Sequence, residues 1–265
     1  MLYFFAFDFA MVQISVVIIS FNESLQIGRC LDSVKDLADE IIVVDSFSTD
    51  DTVQIAQSKG ALIFQNPFEG HIQQKNYALT KARFDYILSL DADEALDENL
   101  KNSILFVKSN WNRDAYYCNR FNNYCGYWVK YCGWYPDRKL RLFNKTKGHW
   151  TGTNPHDRYD LFEGFKNTEV LNGNILHFSY SSVSQHIKQM KYFAKIASNE
   201  MYSRHKKHAW FHMIFNPILH FIKSYILKRG FLDGWRGLQI CSISSYGTFL
   251  KYFLLLKRNL SSNES

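Results

Sequence analysis

Tyr86-Ile87-Leu88-Ser89-Leu90-Asp91-Ala92-Asp93 is the stretch on which the fold turns. An apolar run ends abruptly on a pair of carboxylates. Two earlier stretches share this form. Ile14-Ser15-Val16-Val17-Ile18-Ile19 leads to Asn22-Glu23, and Ile41-Ile42-Val43-Val44 leads to Asp45. Apolar runs that do not alternate are typical of strands buried on both faces. In open parallel sheets, ligands bind just beyond the carboxyl ends of the strands. The chain is therefore expected to gather acidic and amide side chains at one edge of an α/β sheet, where a metal-bound phosphate ligand could sit.

The segments between these runs read as helices. Ser24 is placed to cap a helix running to residue 34, and Asp50 to cap one that stops at Gly60. Residues 61–65 read as a third strand, and Gly70 precedes a helix over residues 71–81. The β-α-β-α-β-α-β alternation predicts parallel strands with right-handed crossovers. Beyond residue 100 the alternation stops. Residues 114–127, 140–144 and 171–178 read as strands of a mixed sheet. Residues 148–160, rich in Gly, Thr, Asn and Pro, read as a loop. From residue 184 the pattern is helical, and residues 261–265 are expected to fray.

At 265 residues the chain is long enough for a substantial core. Its net charge of +6 is unevenly spread. Residues 186–265 carry 13 Lys+Arg against 3 Asp+Glu, so the remainder is acidic. The acidic part is where chemistry is expected, and the basic part suits an anionic partner. Five cysteines without a Cys-x-x-Cys spacing argue against a zinc knuckle and read as reduced, mostly packed thiols. Residues 1–10 lack a basic start and a convincing cleavage site, so they make a poor signal peptide. Met11 reads as the natural start, with residues 1–10 an over-extension or a short apolar tag. No Gly-x-Gly-x-x-Gly follows the first strand and no P-loop is present, which disfavours a dinucleotide site and an NTPase.

Taken together, four elements resemble the nucleotide-sugar-binding half of family-2 glycosyltransferases. They are Ser20-Phe21-Asn22-Glu23, Val44-Asp45-Ser46-x-Ser48-x-Asp50-x-Thr52, Gln74-Lys75-Asn76 and Asp91-Ala92-Asp93. Two later elements resemble the lipopolysaccharide-core β-1,4-glucosyltransferase branch: Trp134-Tyr135-Pro136-Asp137-Arg138-Lys139-Leu140-Arg141-Leu142-Phe143 and Leu227-Lys228-Arg229-Gly230-Phe231-Leu232-Asp233-Gly234-Trp235. The resemblance implies a GT-A-like nucleotide-diphospho-sugar transferase fold with a mainly parallel mixed sheet. It implies a domain over residues 12–183, with 12–100 as the nucleotide-sugar half and 101–183 as the acceptor half, followed by a basic amphipathic helical region over 184–260. The activity implied is inverting transfer of a hexose, glucose from UDP-glucose, to a lipid-linked inner-core sugar.

Such a transfer has two needs. The departing diphosphate gathers negative charge that a divalent cation neutralises. The attacking hydroxyl must lose a proton to a base on the opposite face of the sugar. Mg²⁺ or Mn²⁺ favours hard oxygen ligands, often one or two carboxylates plus substrate phosphates, and Asp91-Ala92-Asp93 supplies them. A turn there could aim both carboxylates into one cleft. By the resemblance, Asp93 holds the metal and Asp91 faces the ribose, while Asp45 and Glu23, with Asn22 beside them, face the nucleotide. Lys75 could reach a phosphate, although an exposed helical lysine is the commoner case; Gln74 and Asn76 are weaker candidates. The catalytic base is expected at Asp157, in Asn154-Pro155-His156-Asp157, where the branch usually carries His-Glu. Glu94 and Asp137 compete for that role. Lys139 and Arg141 alternate with Leu140 and Leu142, which puts both cations on one strand face. They could grip the diphosphate or a phosphorylated acceptor, or form a solvated face.

Residues 206–258 mix aromatics, aliphatics and cations without a clean apolar span of about 20 residues. This suits an in-plane helix attracted to anionic lipid, with a helix pair closing a core or a dimer as the alternative. The expected location is peripheral, on the inner face of the cytoplasmic membrane. His205, His208 and His212 share a helical face and read as a basic-aromatic surface rather than a metal site. A capsule or exopolysaccharide transferase and a non-catalytic nucleotide-sugar-binding protein are the rival readings. A nucleic-acid adaptor is weaker, since no nucleic-acid motif accompanies the charge. No feature sets an oligomeric state.

Overall fold

The computed structural model describes residues 11–153, 156–204 and 209–261. Residues 1–10, the Asn154-Pro155 pair, His205 and His208, and residues 262–265 of the expected frayed end lie outside the described residues. The chain divides into two compact units, Met1–Arg120 with Asp137–His177, and Phe121–Pro136 with Phe178–Ser265.

The elements run β1 (Ile14–Ser20), α1 (Ile27–Val34), β2 (Glu40–Asp45), α2 (Thr52–Ser58), β3 (Leu62–Gln65), α3 (His71–Lys81), β4 (Tyr86–Asp91), β5 (Glu94–Leu96) and α4 (Glu98–Ser109). They continue with β6 (Ala115–Tyr124), β7 (Tyr127–Trp128), β8 (Asp137–Asn144), β9 (Gly148–Thr153), β10 (His156–Leu161), β11 (Thr168–Tyr180), α5 (Val183–Ser203), α6 (Ala209–Phe221) and α7 (Gly234–Ser261). The main sheet has the order β3-β2-β1-β4-β8-β6-β11-β5, with β7 pairing β6. Strands β1 to β4 are mutually parallel, and β8 returns antiparallel against β4.

All seven residues of β1 are buried, which is why its sequence does not alternate. Ile14, Val16 and Ile18 face α1 and α4, packing with Ile27, Leu31, Leu100 and Ile104. Val17 and Ile19 face the opposite way, packing with Ala78 and Leu79 of α3 and with Trp150 and Tyr159. The period-two geometry of a strand assigns alternate residues to two different cores.

Register then fixes the site. Ser20 pairs with Asp45 and Ile19 with Asp91, so the ends of β2, β1 and β4 lie side by side. Because β8 runs the other way, its beginning, with Lys139 and Arg141, lies beside the carboxyl end of β4. At the far edge β5 pairs with β11, matching Glu94 with His177.

Residues 148–160 are not a loop: β9 and β10 form a two-stranded antiparallel sheet. The glycines that suggested a loop permit close strand approach. A Cβ at Gly148 would stand 2.4 Å from the Asp160 carbonyl oxygen, and Gly152 has φ +105°. The hairpin is fastened to α3 through Asn76. Its amide donates to the Trp150 carbonyl at 2.9 Å and accepts the Trp150 N–H at 3.0 Å.

Two expected caps also differ. Helix α1 begins at Ile27, and Ser24 instead gives its N–H to the Asp50 carboxylate. Asp51 occupies the cap position of α2, while Asp50 accepts the Thr52 N–H and so ties two loops together. Gly173, at φ +102°, sits where a Cβ would be 2.1 Å from the Leu100 nitrogen. Gly173→Ala is expected to cost about 1–3 kcal/mol in urea unfolding, and a change below about 0.5 kcal/mol would remove this contact from the account.

In the second unit, a π-helical turn over Ile222–Leu227 and a short 3₁₀ turn over Gly230–Asp233 join α6 to α7. Asp233 is buried and accepts from the Tyr127 hydroxyl and from the Lys130 and Tyr131 N–H groups. Trp210, Ile218, Leu227, Leu232 and Trp235 are exposed, and so are Lys223, Lys228 and Arg229. Among the described residues, no helix is long and apolar enough to cross a membrane. All five cysteines are free thiols.

Candidate active site

A ladder of alternating charges occupies the carboxyl edge of the sheet. Asp157 on β10 pairs with Lys75 on α3 at 2.8 Å, and Lys75 pairs with Asp91 at 2.9 Å. Asp91 pairs with Arg141 on β8 at 3.0 Å, and Arg141 with Glu94 at 2.9 Å. Arg120 continues the series, 3.8 Å from Glu94 and 2.7 Å from Asp137, which is 3.2 Å from Lys139. Six separate elements contribute these residues.

Lys75 is not the exposed helical lysine that is commonest. It is 2% exposed and lies 4.6 Å over the Trp150 ring. Its burial is tolerable because two carboxylates accept its charge. Burial alone would raise the Asp91 carboxyl, but the charges of Lys75 and Arg141 hold it well below the usual range. At Asp157 burial again works upward, and Lys75 outweighs it, keeping the carboxyl low and ionised. Glu94 is raised, chiefly by burial, and Arg141 only partly offsets that. Arg141 is raised because Glu94 and Asp91 outweigh its own burial.

Lys75, Asp91, Lys139, Arg141, Trp150 and Asp157 line one cavity of about 450 Å³, together with His156. Lys139 and Arg141 therefore look into a shared space rather than forming a solvated strand face. Of the competing bases, Glu94 is fully enclosed beside Arg141, and Asp137 is held between Arg120 and Lys139.

The carboxylates of Asp91-Ala92-Asp93 serve different partners. Asp91 faces the cavity, whereas Asp93 lies 3.1 Å from Nε2 of His177. Burial lowers the His177 pKa, but Asp93 outweighs it and the net shift is upward. The Glu23 carboxyl is pushed up to about 7, first by burial and then by Asp93 and Asp50. A divalent cation beside Asp93 would relieve this crowding of negative charge, and carboxylate oxygens are the hard donors that Mg²⁺ and Mn²⁺ take. Among the described residues no three His, Cys, Asp or Glu side chains gather in a metal-holding group. Ligand oxygens from a diphosphate would complete the shell.

Asp45 is wholly buried and works within the protein, accepting from the Ser20 hydroxyl at 3.1 Å and the Ser48 N–H at 2.8 Å. Asn22, at φ +55°, accepts the Thr49 N–H and gives its own N–H to Ser48. Gln74 is likewise internal, donating to the Ser46 hydroxyl. These three shape the loops after β1 and β2. Sequence reading missed His177, Arg120 and Trp150, and no motif marks them: they are brought in by strand register alone.

Comparison with known proteins relates the chain to a family of enzymes. The Glycosyl transferase family 2 profile matches residues 15–168. An uncharacterized glycosyltransferase of Rickettsia typhi is 30% identical, over 95% of this chain and 89% of its own length. The lipopolysaccharide core biosynthesis glycosyltransferase LpsC of Rhizobium meliloti is 25% identical, over 93% of this chain and 96% of its own. Among solved structures, the glucosyl-3-phosphoglycerate synthase of Mycobacterium tuberculosis, in complex with Mn²⁺, UDP and glucosyl-3-phosphoglycerate, is 25% identical with a TM-score of 0.36. That match covers 42% of this chain and 44% of the other. By the extent of the profile match and by its full-length relatives, this chain belongs to glycosyl transferase family 2.

Proposed function

We propose that this glycosyltransferase moves glucose from UDP-glucose, with inversion, to a lipid-linked inner-core sugar of lipopolysaccharide. The observation that carries the reading is the cavity at the sheet's carboxyl edge, where Asp157 and Asp91 meet Lys75 and Arg141. The 25% identity to a lipopolysaccharide core biosynthesis enzyme over nearly the whole chain supports the choice of acceptor.

In this reading residues 12–100 hold the donor and 101–183 meet the acceptor. Asp93, oriented by His177 at 3.1 Å, would hold Mg²⁺ or Mn²⁺, whose charge would offset that of the departing diphosphate. Glu23, Asn22 and the turn built on Asp45 border the nucleotide. Asp157 takes the proton of the attacking hydroxyl as a carboxylate kept ionised by Lys75. Lys75 and Arg141 hold Asp91 and Asp157 in place and set a positive field beside the leaving group. Release of UDP from UDP-glucose, compared with other UDP-sugars in the presence of purified lipid acceptor, tests the assignment. The expected result is release with UDP-glucose only when acceptor is present. Acceptor-dependent release from another donor alone would overturn the choice of sugar.

The helical region 184–260 attaches the enzyme to the inner face of the cytoplasmic membrane. Its exposed aromatics and aliphatics enter the interface while Lys223, Lys228 and Arg229 meet anionic headgroups. The double substitution Lys228→Gln, Arg229→Gln is expected to weaken binding to phosphatidylglycerol vesicles by about 2 kcal/mol, at about 1 kcal/mol per cation. Equal sedimentation of the native chain with neutral and anionic vesicles would contradict this placement.

A further inference from the structure

The charges on the cavity wall do not cancel. Its lining includes six cations, Lys75, Arg120, Arg138, Lys139, Arg141 and Arg158, against the carboxylates of Asp91, Asp157 and Asp160. Glu94 and Asp137 balance the ladder from behind, leaving Lys75, Arg141, Arg120 and Lys139 each beside a carboxylate. Arg158 pairs with Asp160 at 2.9 Å. Arg138 differs: among the described residues no carboxylate lies within ion-pair distance of it. It is exposed and lines the same cavity as Asp157.

A base must stand within hydrogen-bond reach of the hydroxyl it deprotonates. In the reaction proposed above, the space beside Asp157 is therefore the acceptor's. An unneutralised guanidinium there is suited to a planar or tetrahedral oxyanion, which it can grip through two N–H groups at once. We propose that the acceptor saccharide carries an anionic substituent, a phosphate or a carboxylate, near the reacting hydroxyl, and that Arg138 selects it. This rests on the transferase reading only for what the cavity holds. Arg138 acts on specificity and takes no part in bond making.

The test uses the full chain loaded with UDP and Mn²⁺, so that positions taken by the donor's diphosphate are filled. Glucose 6-phosphate, glucuronate and glucose are titrated separately, with binding read by ligand NMR. The native chain is expected to bind at least one of the two anions about tenfold or more tighter than glucose, and the preferred anion tells phosphate from carboxylate. Arg138→Gln, at an exposed position where folding is not at stake, is expected to bring that anion to within about threefold of glucose while UDP affinity is unchanged. Equal or undetectable binding of all three by the native chain overturns the inference. So does a preference that survives Arg138→Gln. Failure of the transferase reading would look different, as a chain that does not bind UDP at all; the same titrations without UDP then decide the role of Arg138.

Discussion

Arg141→Met is expected to destabilise the first unit by about 3–5 kcal/mol, the usual cost of removing one partner from a buried ion pair. Arg141 is 3% exposed and lies between Asp91 and Glu94, with a further contact at 3.3 Å to the Ser89 carbonyl. Methionine fills much of the same volume but leaves Glu94 enclosed, with Arg120 at 3.8 Å and the His177 imidazole as its remaining positive neighbours. The sign with pH follows. Glu94 is already raised by burial, and loss of Arg141 raises it further. A carboxyl whose folded pKa exceeds its unfolded value is best tolerated when protonated. The deficit of Arg141→Met should thus be full above the folded pKa of Glu94 and shrink on acidification. Urea denaturation at several pH values measures this. A variant within about 0.5 kcal/mol of the native chain at neutral pH would show that the ladder is not holding the site together.

Asp157→Asn is expected to leave the fold intact and lower transfer by about 10²–10⁴-fold, the range for losing a general base. Asparagine keeps the shape but cannot accept the proton. Lys75 retains Asp91 at 2.9 Å, so its buried charge is not stranded. Circular dichroism and urea unfolding should be close to native while the UDP-release rate collapses. Turnover within about twofold of native would remove Asp157 from the mechanism and reopen the search among the cavity carboxylates.

How far the sequence could be read depended on the range of the interaction involved. Strands β1, β2 and β4 announce themselves because burial on both faces demands continuous apolar side chains. Helix α3 matches its expected limits, with Gly70 before it. The β9–β10 hairpin was hidden, because its glycines look like loop formers until the neighbouring carbonyls are in view. The acidic strand ends were legible, but their division of labour was not. Asp45 spends its carboxylate on Ser20 and Ser48, and Asp93 meets His177 from a strand 84 residues away. The burial of Lys75 depends on Asp157, 82 residues on. Composition carries no trace of such a pairing, and only the register of β8 and the hairpin on α3 creates it.

In the proposed reading, the acidic edge of the sheet holds a nucleoside diphosphate through a divalent cation at Asp93. Calorimetric titration of UDP into the full chain, with and without Mn²⁺, and the same pair of titrations with Asp93→Ala, tests it most directly. The account predicts that Mn²⁺ tightens UDP binding by more than about tenfold, roughly 1.4 kcal/mol, and that Asp93→Ala abolishes the gain without unfolding the chain. Absence of UDP binding, or an affinity indifferent both to Mn²⁺ and to Asp93, would contradict it.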